Sequence, residues 1–127
     1  MNADFKITNE QIQAQDNNPV TVFHLSGWLD AQSEGKLLSA ALEAHTAGTS
    51  YLILSLQDVD MLTSTGIRAI QSVQKLFTPP DANTSSIRLC NAPPNVYHVL
   101  KLTGFLQILP VYESLQSALD SFTAEKK

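Results

Sequence analysis

A chain of 127 residues with 43% apolar and 16% charged side chains has the composition of one ordinary globular domain, long enough for a single hydrophobic core and too apolar for a disordered segment. Its formal charge of −4, from 8 basic and 12 acidic side chains whose only clustered lysines are Lys126 and Lys127, argues against nucleic-acid binding. No apolar run approaches the ~20 residues needed to cross a bilayer, and no basic segment leads an apolar one near the N-terminus, so neither membrane insertion nor a signal peptide is expected and a cytoplasmic location follows.

The alternation Phe5-Lys6-Ile7 predicts an opening strand, and Asp16-Asn17-Asn18-Pro19 is a strong turn signal. A second strand over 20–25, broken by Gly27, pairs with the first as an antiparallel hairpin. Leu38, Ala41, Leu42 and His45 stand at i, i+3, i+4 and i+7 and predict a helix over 32–45, ended by Ala47-Gly48-Thr49. Tyr51-Leu52-Ile53-Leu54-Ser55-Leu56 is the short apolar run of a strand buried on both faces, closed by Gln57-Asp58-Val59-Asp60. Behind an N-cap at Thr63 or Ser64, the residues Gly66, Ile70, Val73 and Phe77 recur at helical spacing and predict a helix resting on the sheet.

Pro79 and Pro80 open a loop that lasts to about 85, because neither can continue a helix. A strand over 87–90 follows. Asn91-Ala92-Pro93-Pro94 introduces a third helix with Val96, Val99 and Leu100 on one face; Gly104 stops it, and Phe105 packs back on its last turn. A short strand near 106–109 ends at Pro110, and a last helix with Ser114 near its start buries Leu115, Ala118, Leu119 and Phe122 as one stripe. Strands alternating with helices after residue 30 require parallel pairings through right-handed crossovers, so the fold class is α/β with a mixed sheet.

Few residues suggest catalysis. Cys90, the single cysteine, cannot form an internal disulfide and reads as a buried structural thiol. Asp58 and Asp60 have no nearby histidine or third carboxylate to complete a metal site or an acid/base pair, and His24, His45 and His98 fall on different elements. Trp28 stands at a strand end, where it either packs or anchors a partner. No phosphate-binding glycine loop, nucleophile elbow or zinc spacing occurs, so no enzyme, metal or cofactor is expected.

The strand-to-helix junction at 60–66 carries more. Ser64, Arg68, Gln71 and Lys75 at i, i+4, i+7 and i+11 form a polar stripe, opposite the face that carries Gly66 and Ile70. Ser64 heads that stripe. A phosphate there would add about −1.5 to −2 charges beside free N–H groups of a first helical turn.

Ser64-Thr65-Gly66 is similar to the Ser-Ser/Thr-Gly triplet of STAS domains, in particular of the bacterial anti-sigma factor antagonists. Leu25-Ser26-Gly27-Trp28-Leu29-Asp30 resembles the family's Leu-Thr-Gly-Glu-Leu-Asp segment; Thr103-Gly104-Phe105 through Ile108, then Ser114 to Leu119, resembles its closing pattern. These matches stand in the family's order from about 20 to 122. The resemblance implies one STAS domain over 1–127, with a core of about 5–122. It also implies a mixed sheet of four to five strands covered by about four helices, with an opening antiparallel hairpin and then βα units.

For function it implies a non-enzymatic binding module switched by phosphorylation of the first hydroxyl, Ser64, with Thr65 as the alternative acceptor. The unphosphorylated form would bind an anti-sigma factor that is also a serine kinase, releasing a sigma factor, and a phosphatase would reverse the modification. Gly66 would be the close-packing glycine and would contribute to the partner surface together with Asp30, Thr63, Thr65, Arg68, Gln71 and Lys75. Thr63 stands where most phosphorylated members have Asp, and Arg68 where many have Gly or another small residue. The alternative reading is a constitutive STAS scaffold or accessory subunit of a signalling or transport complex, without a switch.

Overall fold

Local chemistry at Asp16-Asn17-Asn18-Pro19 sets the first hairpin in the computed structural model, which describes residues 4–78 and 86–124, with side chains to 122. Asn17 takes a left-handed φ of 69°, and the Asn18 N–H donates to Asp16 Oδ1 at 3.1 Å. Asparagine tolerates that conformation better than most residues. The hairpin joins β1, Lys6–Gln13, to β2, Pro19–Leu29, in antiparallel register from Lys6 opposite Ser26 to Gln13 opposite Pro19.

β2 does not break at Gly27. Glycine adopts a φ of 88° there, and the ladder to the next strand shifts register between His24 and Ser26 and again between Gly27 and Trp28. A residue without Cβ absorbs the kink of a bulge while pairing resumes beyond it, so the strand reaches Leu29. Its parallel partner β3 likewise outruns the expectation, spanning Tyr51–Leu62. The apolar run stops at Leu56 because β4, Ile87–Cys90, pairs only with Leu52 to Ser55; beyond them β3 has β2 as its single neighbour, and exposed Asp58 and Asp60 are tolerated beside buried Val59 and Leu62.

The sheet is completed by β5, Val111–Tyr112, parallel to β4, and its order is β1-β2-β3-β4-β5. This strand lies after Pro110, not near 106–109. Gly104, at φ 77°, turns the chain so that Phe105 is buried, and the backbone winds into a 3-10 turn over Phe105–Gln107, with the Ile108 N–H donating to the Phe105 carbonyl at 2.9 Å. Extension resumes only once Pro110 has ended that turn. The expected loop over 79–85 lies outside the described residues.

Among the described residues four α-helices cover the sheet: α1, Glu34–Thr46; α2, Ser64–Leu76; α3, Pro94–Leu102; and α4, Leu115–Ala124. Apolar residues of α1, α2 and α3 pack with Phe23, Leu25, Leu52, Leu54 and Leu56 on one face. Ala118 and Phe122 of α4 pack with Val20, Val22, Ile53 and Cys90 on the other. β3 is therefore apolar on both faces because helices cover both.

α1 is rotated from its expected face. Leu37 and Ala41 are fully buried with Ala44 partly so, whereas Leu42 is 49% exposed and His45 is exposed with its ring edge-on to Phe77. Apolar residues surround much of this helix, so periodicity alone could not select the stripe; the small alanines permit the closer approach.

Arg88, Cys90 and Ser55 are buried on the α4 side. Arg88 donates from Nε to Ser121 Oγ at 2.8 Å and from Nη1 to the Ile87 carbonyl at 3.0 Å, and its guanidinium lies 4.5 Å from the Phe122 ring centroid. Cys90 is buried, and desolvation raises its thiol from 9.0 to about 11 although a hydrogen bond with Ser55 pulls the other way. Two units correspond to roughly a hundredfold less thiolate near neutral pH. Titration of the native protein with a thiol-disulfide reagent at pH 7.5 is expected to leave Cys90 unreacted over minutes, with rapid reaction in denaturant; equal rates would contradict its burial. Because the folded-state value is raised, the contribution of this thiol to stability is present below about pH 9 and lost as pH rises through 11.

Candidate functional site

Thr63, extended at φ −107° and ψ 170°, follows β3 and caps α2. Its Oγ1 accepts from the Gly66 N–H at 3.2 Å, so one of the unpaired donors of the first turn is satisfied and the cap is Thr63 rather than Ser64. The Thr63 and Thr65 hydroxyls are hydrogen-bonded to each other at 2.9 Å, and Thr65 is half-buried. Ser64, the first residue of the helix, is exposed, and its side chain makes no hydrogen bond with any described residue. Of three consecutive hydroxyls, two are held and one faces solvent.

The first turn is seated on the end of β2. The Thr63 N–H donates to the Leu29 carbonyl at 3.2 Å, and a Cβ added at Gly66 would stand 2.1 Å from that same oxygen and 2.8 Å from its carbon. Only glycine permits this approach. β2 then leads into Asp30, whose carboxylate accepts the Gln32 N–H at 3.0 Å and caps a 3-10 turn over Ala31–Ser33 that starts α1. Ser33 Oγ donates to the Trp28 carbonyl at 2.6 Å and accepts from the Asp30 N–H at 3.3 Å.

These two helix starts lie side by side at one end of the sheet. An open depression of about 700 Å³ between them is lined by Phe5, Trp28, Asp30, Lys36, Thr63 and Thr65, among others. Asp30, Thr63 and Thr65 thus lie around one depression, and half-buried Trp28 joins them. Asp30 has a structural duty as a cap besides any contact it makes. Lys36 is held by donating from Nζ to the Phe5 carbonyl at 3.1 Å.

Along α2, Ser64, Arg68 and Lys75 are exposed and Gln71 is half-buried, so the polar stripe faces outward, whereas Gly66, Ile70, Val73 and Phe77 are buried. The helix contains no acidic residue, although the chain as a whole is acidic. Two neighbours escaped sequence reasoning. Met61, 40% exposed, lies on the outward side of β3 just before the hydroxyls, and Asn95 at the start of α3 donates from Nδ2 to the Asp60 carbonyl at 2.8 Å. The strand extension to Leu62, with Met61 opposite to buried Leu62, was the available signal for the first; nothing local indicated the second.

The remaining sequence candidates are dispersed. His24 bonds Glu10 on the neighbouring strand at 2.8 Å, His45 rests against Phe77, and His98 is exposed on α3. Among the described residues no group of three histidine, cysteine or acidic side chains is placed to hold a metal, and no helix is long and apolar enough to cross a membrane.

The chain is similar to known proteins in sequence and in fold. The Anti-sigma F factor antagonist of Paenibacillus polymyxa is 26% identical over 112 residues, covering 87% of this chain and 93% of that protein. An anti-sigma factor antagonist from Mycobacterium paratuberculosis has the same fold, with a TM-score of 0.72 at 20% identity and full coverage of both chains. So does a sulfate transporter family protein from Wolinella succinogenes, with a TM-score of 0.66 at 19% identity over 84% of this chain and 88% of that one. Residues 11–118 match the family model of the STAS domain, and with a five-stranded mixed sheet that seats a Ser-Thr-Gly helix start on the end of β2, the chain belongs to the STAS domain family.

Proposed function

We propose that this chain is an anti-sigma factor antagonist, a binding module without enzymatic activity that is switched by phosphorylation of Ser64. Unphosphorylated, the end of the sheet formed by Asp30, Thr63, Thr65 and the outward stripe of α2 docks on an anti-sigma factor that is also a serine kinase, and the sigma factor is released in the cytoplasm. The observation that carries the reading is the division of labour among the three hydroxyls. Thr63 performs the capping, Thr65 is bonded to it, and Ser64 is left exposed with no structural task. The name of the Paenibacillus polymyxa relative supports the partner class.

A phosphate on Ser64 stands beside the free N–H groups of the first turn, where an anion is favoured by roughly 0.3–1 kcal/mol, so the fold tolerates it. The effect falls on the partner. A surface matched to a neutral hydroxyl must accommodate about −1.5 to −2 charges, and a loss of about 2.8 kcal/mol already lowers affinity a hundredfold. A phosphatase restores the docking form.

Incubation with ATP and the serine kinases of the host, followed by mass-spectrometric mapping, is expected to place one phosphate on Ser64. Unmodified Ser64 and Thr65 with every cognate kinase would remove the switch and leave a constitutive scaffold.

A further inference from the structure

We infer that Arg68 is the intramolecular counter-ion of a phosphate on Ser64, so that phosphorylation both adds an anion to the docking face and withdraws a cation from it. The inference rests on the phosphoserine reading above. Ser64 and Arg68 are one helical turn apart on α2, and both are exposed. Side chains on a helix lean toward its N-terminus, which directs the guanidinium of Arg68 back toward residue 64. An anion four residues before a cation is the favourable order for such a pair.

Competition for Arg68 is absent on its own helix. Neither Ser64 and Thr65 upstream nor Gln71 and Ser72 downstream is acidic, and the Arg68 side chain makes no hydrogen bond or ion pair with any described residue. The other charged groups around the junction are Asp60 on β3, Asp30, whose carboxylate is engaged by the Gln32 N–H, Lys75 two turns further along the stripe, and Asp4, Lys6 and Lys36, which line the depression beside Thr63 and Thr65, with Lys36 held by the Phe5 carbonyl. A guanidinium fork matches two phosphate oxygens at once, whereas a lysine at the same position would act as a point charge. Before modification, the partner meets an acid-free helix presenting Arg68 and Lys75. After it, Arg68 is folded against the phosphate, and the complementarity toward an acidic docking surface is lost along with the neutral hydroxyl.

The test uses full-length protein with phosphoserine incorporated genetically at position 64, which removes any dependence on a kinase. The second ionisation of the phosphate, near 6 in the absence of partners, is followed by phosphorus NMR titration. Pairing with Arg68 stabilises the dianion, so the midpoint is expected about 0.3 unit lower than in the Arg68→Gln variant, with Arg68→Lys intermediate. The difference should shrink at 1 M salt, where the screening length is about 3 Å. Midpoints that agree in all three proteins at low salt overturn the counter-ion. If host kinases do modify Ser64 while those midpoints agree, the counter-ion fails and the switch stands; a lowered midpoint in a protein whose Ser64 no host kinase modifies sustains the pairing and overturns the switch.

Discussion

Gly66→Ala is expected to lower stability by about 2 kcal/mol, against the direction that helix propensity alone dictates. In an open helical position alanine gains about 1 kcal/mol over glycine. At residue 66 the new methyl would stand 2.1 Å from the Leu29 carbonyl oxygen; that oxygen is backbone and the methyl has no torsion by which to move away, so no flexible side chain can yield. Relief requires α2 to lift from the end of β2, stretching the Thr63 N–H bond to the same oxygen and loosening the packing of buried Ile67 and Ile70. Overpacking of this kind costs about 1–3 kcal/mol, which outweighs the propensity gain. Gly35→Ala in α1 provides the internal control: its added Cβ meets nothing within 4 Å, so a gain of up to about 1 kcal/mol is expected. Urea unfolding of the two variants checks the pair, and a Gly66→Ala protein as stable as the parent would refute the close seating of the helix.

Ser64→Asp is expected to weaken binding to the anti-sigma partner at least a hundredfold, whereas Ser64→Ala binds within a fewfold of the parent. The aspartate carries one charge where a phosphate carries more, so its effect is a lower bound. Stability should separate from binding: an exposed carboxylate in the first turn of α2 is favourable or neutral, and alanine is a good helix former, so both variants should unfold within about 0.5 kcal/mol of the parent. Calorimetric titration against the purified partner measures the affinities. Equal values for the two variants would count against charge as the blocking agent and favour the scaffold reading.

The mixed sheet and the helix count were readable because β3 carries a continuous apolar run and α2 a clear helical period, and each of the turn signals at Asn17 and Gly104 has a positive φ in the structure. What escaped was decided by partners distant in sequence. Gly27 looks like a breaker in isolation; only its pairing with β3 makes it a bulge. The end of the apolar run in β3 depends on where β4 stops, and the strand's continuation to Leu62 on its pairing with β2 as far as Leu29, neither of which the β3 sequence contains. Phe105 packs back toward α3, and the same burial coils residues 105–107, so the extended segment begins only after Pro110. On α1, Leu37, Leu38, Ala40, Ala41 and Leu42 offer more than one apolar face, and the sheet selects among them. Arg88 within a four-residue core strand gives no sign of its burial, because Ser121 and Phe122 lie over 30 positions away.

At the candidate site, the stripe of Ser64, Arg68, Gln71 and Lys75 was legible from spacing alone. Which hydroxyl caps the helix was not, since Thr63 and Ser64 are equivalent cap residues by type. The extended backbone at Thr63 and its bond to the Gly66 N–H separate them. Asp30 could be placed near the site from the motif, but its use as a cap emerges only from the 3-10 turn that precedes α1.

The Leu29 carbonyl receives the Thr63 N–H and also faces Gly66. Because this anchor is main chain, the position of Ser64 is insulated from the identity of the side chain at 29 and vulnerable chiefly at 66. Positions 68, 71 and 75 lie outside that anchor. Domains built in this way can therefore diverge along the exposed stripe at 68, 71 and 75 while residue 64 stays fixed in space.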